Sequence, residues 1–244
     1  MPYIEEICVA GMTVEISRYY TYRYGPGGKR GAKRKETEDA QKRANQRQAE
    51  KNLRRLMNAN FCDGDYLVRL DFSKENFPPG SEEMQERMKQ AMRRLRAEYK
   101  KANIDLKYIY VKEVGARGGR HIHMMLSKGD TEMLRRAWPY GGIHVDPLFT
   151  GGQYARIASY FVKYANKTEQ TEGELIGKRW YASRNLVRPE PKKRVVPASA
   201  FRQQVRARRG YIVDKESICS GVSELTGYEY LSYTLIKTDK RGQG

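Results

Sequence analysis

His121 and His123 are one residue apart in a run, Arg120 to Ser127, that reads as a strand. Side chains alternate across a strand, so the two imidazoles project from one face about 6.6 Å apart, while Ile122, Met124 and Leu126 enter a core. At that spacing both can converge on one cation. A lone His-x-His is weak evidence, because half-buried strands produce it by chance. Glu113 strengthens it. This carboxylate lies across Gly115-Ala-Arg-Gly-Gly119 and faces the histidines if the loop has an odd residue count or a bulge, since antiparallel partners on one face need matching parity. A two-residue Gly118-Gly119 turn would put it on the wrong side. Asp71 is a further ligand, or a group behind one. Imidazole with carboxylate oxygen and no thiolate suits a divalent metal, Mg²⁺ or Mn²⁺, acting on phosphate, with zinc left open.

The second constellation is a helix expected from Gln153 to about Lys167, QYARIASYFVKYANK. Each residue advances about 100° around the axis, which brings Tyr160, Lys163, Tyr164 and Lys167 within a sector of roughly 100°. Tyr154, Ala158, Phe161, Val162 and Ala165 fall opposite, as the packed stripe. Alone, such a helix has put its tyrosines and lysines in solvent. The second motif upstream, His121-Ile122-His123, is what makes it a candidate for more.

The elements that must position these residues are legible around them. Tyr66, Val68, Leu70 and Phe72 alternate with Leu67, Arg69, Asp71 and Ser73, a strand with one apolar face. Pro78-Pro79-Gly80 is a turn, and Ser81 can cap a helix with Glu82 and Glu83 in its first turn. There Met84, Met88, Ala91, Met92, Leu95 and Tyr99 form a core-facing stripe. A run from Leu106 to Val114, the histidine strand, a helix from Asp130 to about Trp138 and a strand from Ile143 to Phe149 follow. The order strand, helix, strand, strand, helix, strand predicts an α+β fold: an antiparallel sheet of ferredoxin-like, split βαβ topology, an RRM-like palm, followed by the tyrosine helix. One sheet face is left open.

The chain has 244 residues, with 47 Lys and Arg against 29 Asp and Glu, a formal net charge of +18. That excess favours a polyanionic partner, nucleic acid ahead of a membrane surface. Apolar runs are too short for a membrane span, no secretory signal is visible, and a cytoplasmic location is expected. Cys8, Cys62 and Cys219 are scattered, against both a disulfide framework and a thiolate zinc site. Gly25-Pro-Gly-Gly-Lys-Arg resembles a nucleotide-binding loop only in composition, which excludes a motor of that type.

Three stretches are expected: residues 1–61, with strand material, a basic connector and a basic helix; a central domain, 62–190; and a basic extension, 191–244. Tyr20, Tyr22 and Tyr24 beside Arg18 and Arg23 could stack bases or be ordinary strand formers. The helix from Thr37 to Asn58 has a thin apolar stripe and is expected to lie on the surface, its Lys and Arg facing DNA or solvent. The end of the chain closes with a late strand, Tyr228 to Lys237.

Glu113, then Gly118-Gly-Arg-His-Ile-His123, then Ile157-Ala-Ser-Tyr-Phe-Val-Lys-Tyr-Ala-Asn-Lys167, resembles the HUH endonuclease superfamily. It is most similar to rolling-circle replication initiators, including the gene A proteins of small icosahedral phages and the gene II type proteins of filamentous phages. The tyrosine pair is the most specific part, and it follows the histidines, whereas relaxases of the superfamily place theirs before. Trp180-Tyr-Ala-Ser-Arg-Asn-Leu186 resembles a further segment of bacterial and phage members. The resemblance implies a metal held by His121, His123 and Glu113, and attack on a phosphodiester by Tyr160 or Tyr164. Lys163 and Lys167 would lower a phenol pKa or hold phosphate oxygens, and generic phosphate binding is an equal reading for both. Arg117, Arg120 and Arg184 are candidate phosphate contacts. His144 is outside the pattern, in an otherwise ordinary strand. The implied partners are single-stranded DNA at a replication origin and the helicase and polymerase of a bacterial host. The oligomeric state is not implied. Two other readings stand beside this one: a transposase or mobilisation enzyme of the same chemistry, and a non-catalytic nucleic-acid-binding module with an RRM-like sheet, which predicts aromatic side chains on the open face.

Overall fold

The computed structural model describes residues 3–21, 39–115, 118–172, 177–202, 205–224 and 226–238. In chain order they form β1 (Tyr3–Ala10), β2 (Thr13–Tyr20), α1 (Asp39–Asn60), β3 (Tyr66–Asp71), α2 (Ser81–Lys101), β4 (Tyr108–Val114), β5 (Arg120–Leu126) and α3 (Thr131–Ala137). There follow β6 (Ile143–Pro147), α4 (Ala155–Glu172), β7 (Tyr181–Ala182), β8 (Lys192–Val196), a 3-10 turn (Ala198–Arg202), β9 (Tyr211–Val222) and β10 (Glu229–Lys237). Two compact units result, one of Met1–Ala59 with Arg188–Gly244 and one of Asn60–Val187.

In the central unit the strands lie in the order β6-β3-β5-β4-β7, every pairing antiparallel. With α2 after β3 and α3 after β5, this is the expected α+β, ferredoxin-like pattern. One face is sealed by the helices: Met84, Met88, Met92, Leu95 and Tyr99 of α2 and Met133 and Leu134 of α3 pack with Val68, Leu70, Ile122, Met124 and Leu126. The methionine stripe is core, since an i, i+4 repeat keeps it on one side of α2. Ser81 does not cap that helix. Gly80 stands at the cap position with no side-chain cap bond, Ser81 is already helical and buried, and Glu82 and Glu83 supply the favourable first-turn charge. The opposite face is less open than its pattern predicts. Helix α4 packs on β4, every residue of which is buried, and exposure survives at the end of the sheet bearing Arg69, Asp71, His121, His123 and His144.

The other unit joins the two ends of the chain. Its sheet, in the order β8-β1-β2-β10-β9, is also antiparallel throughout, with the late strand β10 beside β2. Gly11 turns β1 into β2 at φ +56°, and a Cβ there would lie 2.0 Å from the Asn58 carbonyl oxygen of α1. Only glycine fits so close an approach. Helix α1 buries Leu53 and Met57 completely, yet much of its inner face is ionic. The Arg55 guanidinium donates to Glu6 at 2.7 Å and to Glu15 at 2.9 Å, Lys51 lies 2.9 Å from Glu6, and Arg54 also pairs with Glu15. The expectation of a surface-lying helix therefore holds for its outer face alone. Tyr22, Arg23, Tyr24 and the basic connector lie outside the described residues.

Burial pushes the Glu6 carboxyl up, and Lys51 and Arg55 outweigh it, holding it down from 4.5 to about 2. A carboxyl depressed on folding contributes stability that is complete above its unfolded value and is lost as pH falls through the folded one. Stability from urea unfolding should fall more steeply in the wild type than in Glu6→Gln between about pH 4.5 and 2, narrowing the wild type's advantage by on the order of 3 kcal/mol. Parallel curves would contradict this.

Candidate active site

Strand pairing decides which side chains meet. Glu113 of β4 stands opposite His121 of β5, and on the other side of β5, Asp71 of β3 stands opposite the same residue. The connection from Gly115 to Gly119 has an odd count, closed by a hydrogen bond from the Gly115 N–H to the Gly119 carbonyl at 2.7 Å, so parity puts Glu113 on the histidine face. His121 thus occupies one row with both carboxylates. His123 lies one row further along, its ring centroid 6.5 Å from that of His121.

Each imidazole has its own carboxylate. His121 Nδ1 is 2.6 Å from Asp71 Oδ1, and His123 Nε2 is 2.8 Å from Glu113 Oε2, a diagonal cross-strand contact. The second oxygen of Glu113 accepts from Lys167 Nζ at 2.7 Å. The His123 hydrogen bond, with Lys167 adding to it against the effect of burial, holds the Glu113 carboxyl at about 2. Asp71 is also below the ordinary carboxylate range, where His121 and Arg69 outweigh burial. An ionised carboxylate only accepts, so the facing ring nitrogens, His121 Nδ1 and His123 Nε2, carry the protons.

Helix α4 brings the tyrosines to this row. Ala158, Phe161, Val162 and Ala165 are buried, as their stripe predicts, and Tyr160 and Lys163 are exposed. One buried hydroxyl sets the helix against the strand. Thr168 Oγ1 accepts from the Val114 N–H at 2.9 Å and lies 3.1 Å from the Lys112 carbonyl and 3.0 Å from that of Tyr164. Strand β7 pairs with β4 at Ile109 and Tyr110, leaving the stretch beside Glu113 for Thr168 to satisfy. The Tyr164 ring consequently stacks on His123, centroids 4.1 Å apart and planes at 12°. Tyr160 is one turn earlier, its ring 6.3 Å from that of Tyr164, and 55% exposed. Burial, then Glu113 and Tyr160, push the Tyr164 phenol above its ordinary value, against a smaller opposing effect of Lys167 and Arg69. Lys167 spends its charge first on Glu113.

The arginines divide. Arg120 is in β5 beside His121, with its guanidinium donating to the Pro78 and Pro79 carbonyls at 3.2 and 3.4 Å. Arg184 is exposed, next to Ser183, whose N–H bonds the Tyr108 carbonyl at the far end of β4, about 17 Å along the strand from Glu113. Arg117 lies outside the described residues. His144, passed over in the sequence, has Nε2 3.0 Å from Asp71 Oδ2. A lone histidine in an ordinary strand carries no signal of this, because the contact depends on β6 lying next to β3.

Among the described residues no group of three or more His, Cys, Asp or Glu is arranged to hold a metal ion. The donor types, two imidazoles and a carboxylate, are those a divalent cation would take. His123 Nε2 and Glu113 Oε2, 2.8 Å apart, share a proton that a bound cation would have to displace. His121, tied back through Nδ1, has Nε2 as its remaining donor.

Fold and site together define a ferredoxin-like α+β unit whose sheet end carries three carboxylate-paired imidazoles, one of them stacked on the nearer of two tyrosines. Residues 65–169, under half of the chain, match the family model of the replication-associated protein ORF2/G2P, a stretch that includes all of those residues. This match supports a role in replication initiation. No curated protein and no solved structure matches the chain. No helix among the described residues is long and apolar enough to cross a membrane.

Replacing Thr168 by Val removes the acceptor of the Val114 N–H. It should cost about 1–3 kcal/mol and accelerate amide exchange at Val114 more than at Val68. Unchanged exchange at Val114 would contradict the anchoring role.

Proposed function

We propose that this chain is a metal-dependent nickase and ligase of single-stranded DNA that initiates rolling-circle replication of a plasmid or phage. The observation that carries the reading is the meeting of two motifs far apart in sequence, with Tyr164 stacked on His123 and Lys167 bonded to Glu113. The match of residues 65–169 to a replication-associated family supports it independently. The net charge of +18 suits a DNA partner.

His121, His123 and Glu113 would hold Mg²⁺ or Mn²⁺, which supplies Lewis-acid polarisation of the scissile phosphate. The chain's own groups do the rest. The oxygen of Tyr164, the tyrosine whose ring stacks on His123, attacks phosphorus; the P–O3′ bond breaks, the phenol loses its proton and the departing 3′ oxygen gains one. The products are a free 3′-OH and a 5′-phosphotyrosine. Attack by a 3′-OH on that linkage rejoins DNA without ATP, since the phosphoester was conserved. Tyr160, a turn away, provides a second nucleophile for the cut that releases a unit-length circle. Lys163, exposed beside them, binds DNA phosphate, whereas Arg120, which leaves β5 from the opposite face and bonds Pro78 and Pro79, has no such role. A separate helicase opens the duplex, and a host polymerase extends the 3′ end.

A non-catalytic RRM-like module is less well supported, because the exposed sheet end bears Arg69, Asp71 and three histidines where that reading needs stacking aromatics. A transposase or mobilisation enzyme is disfavoured by the paired tyrosines following the histidines. The test is a denaturing gel for a covalent protein–DNA adduct on single-stranded origin DNA. An adduct should form with Mn²⁺, vanish with EDTA and vanish in the Tyr160→Phe, Tyr164→Phe double variant. Tight binding with no adduct on DNA that contains the origin would overturn the proposal.

A further inference from the structure

His144 belongs to β6, opposite Arg69 of β3, and is 3.0 Å through Nε2 from Asp71 Oδ2. The other oxygen of the same carboxylate is 2.6 Å from His121 Nδ1. Asp71 therefore spans two imidazoles, one from each strand flanking its own. Its backbone is held as firmly. The Asp71 N–H donates to the Gly142 carbonyl at 2.9 Å, and its carbonyl accepts from the Trp138 indole at 3.0 Å. A Cβ added at Gly141 would come within 2.3 Å of that carbonyl oxygen. With the main chain fixed, the remaining freedom of Asp71 is rotation of its side chain. His144 takes the oxygen that His121 does not use, and Arg69 Nε, from the strand itself, lies 3.1 Å from Oδ1 and 3.3 Å from Oδ2.

We infer that His144 is a positioning residue for His121, acting through Asp71: it holds the carboxylate so that His121 carries its proton on Nδ1 and turns Nε2 toward the site. An imidazole left to solvent favours the opposite tautomer, with the proton on Nε2. Which nitrogen is free to act is set by the hydrogen bond the other one makes. Without His144, Oδ2 is left to Arg69 alone, and the carboxylate can turn about that single contact and release His121. His144 is well exposed, its side chain at 59%, so its replacement leaves the core intact. The use of the freed nitrogen as a metal donor rests on the proposed function. The tautomer itself does not.

The chain has three histidines, so long-range ¹H–¹⁵N correlation of ¹⁵N-histidine-labelled, tag-free, metal-free protein gives three ring patterns, assigned with His144→Gln and His121→Gln. At about pH 8, wild-type His121 should show a protonated Nδ1 and a pyridine-like Nε2. His144→Phe should move His121 to a mixture of tautomers. His144→Gln, whose amide can still donate to Asp71, should keep the wild-type pattern. A wild-type His121 protonated on Nε2, or His121 shifts unchanged in His144→Phe, would overturn the inference. Adding Mn²⁺ to the same samples separates the two claims. Failure of His121 and His123 to broaden would count against the metal site and leave the tautomer result standing.

Discussion

Glu113 faces the histidines because the loop joining β4 to β5 has an odd number of residues. A one-residue change would turn the carboxylate toward the methionine-rich face under α2, where its charge has no partner and the imidazoles lose theirs. Everything at the site follows from that register. Glu113 reaches His123 on the diagonal, Lys167 reaches Glu113 from α4, and Thr168, one residue further on, bonds the strand on both sides of Glu113. Helix and strand are thus tied at the point where the chemistry is proposed to occur.

The charges are arranged in matched sets. Asp71 serves His121, His144 and Arg69, and Glu113 serves His123 and Lys167. Tyr164 is the exception in kind: burial and the Glu113 charge favour its neutral phenol. In the proposed reaction such a phenol would be activated by an added positive charge beside Glu113 and His123. The terminal unit uses the same principle for architecture. Its helix is locked to its sheet by Arg55, Arg54 and Lys51 meeting Glu6 and Glu15, which makes the docking directional as well as apolar.

Sequence patterns revealed what alternates. The strand and helix order of the central unit, the Met84 to Tyr99 stripe and the common sector of Tyr160, Lys163, Tyr164 and Lys167 are periodic, and periodicity survives without coordinates. What depends on pairing between distant strands did not show. His144 becomes significant because β6 lies beside β3, and Thr168 because β7 is too short to cover β4. The Lys and Arg of α1 read as a solvated or DNA-facing surface, since nothing local distinguishes a cation aimed at a buried glutamate from one aimed at water. Strand β9 is an edge strand with most of its side chains exposed, so it has no buried face to write an alternation into its sequence. The join between the first and last stretches was invisible for the same reason, being a strand pairing rather than a local pattern.

The central claim is that the paired tyrosines are the groups joined to DNA, and peptide mapping of a trapped adduct tests it most directly. Trypsin cuts after Arg156, Lys163 and Lys167, which puts Tyr160 in the peptide 157–163 and Tyr164 in the peptide 164–167. After nuclease trimming, mass spectrometry should find a nucleotide, attached through its 5′ phosphate, on the peptide 164–167 at the first cleavage and on 157–163 when Tyr164 is replaced by Phe. A nucleotide on any other peptide, or a 3′ linkage, would contradict the account.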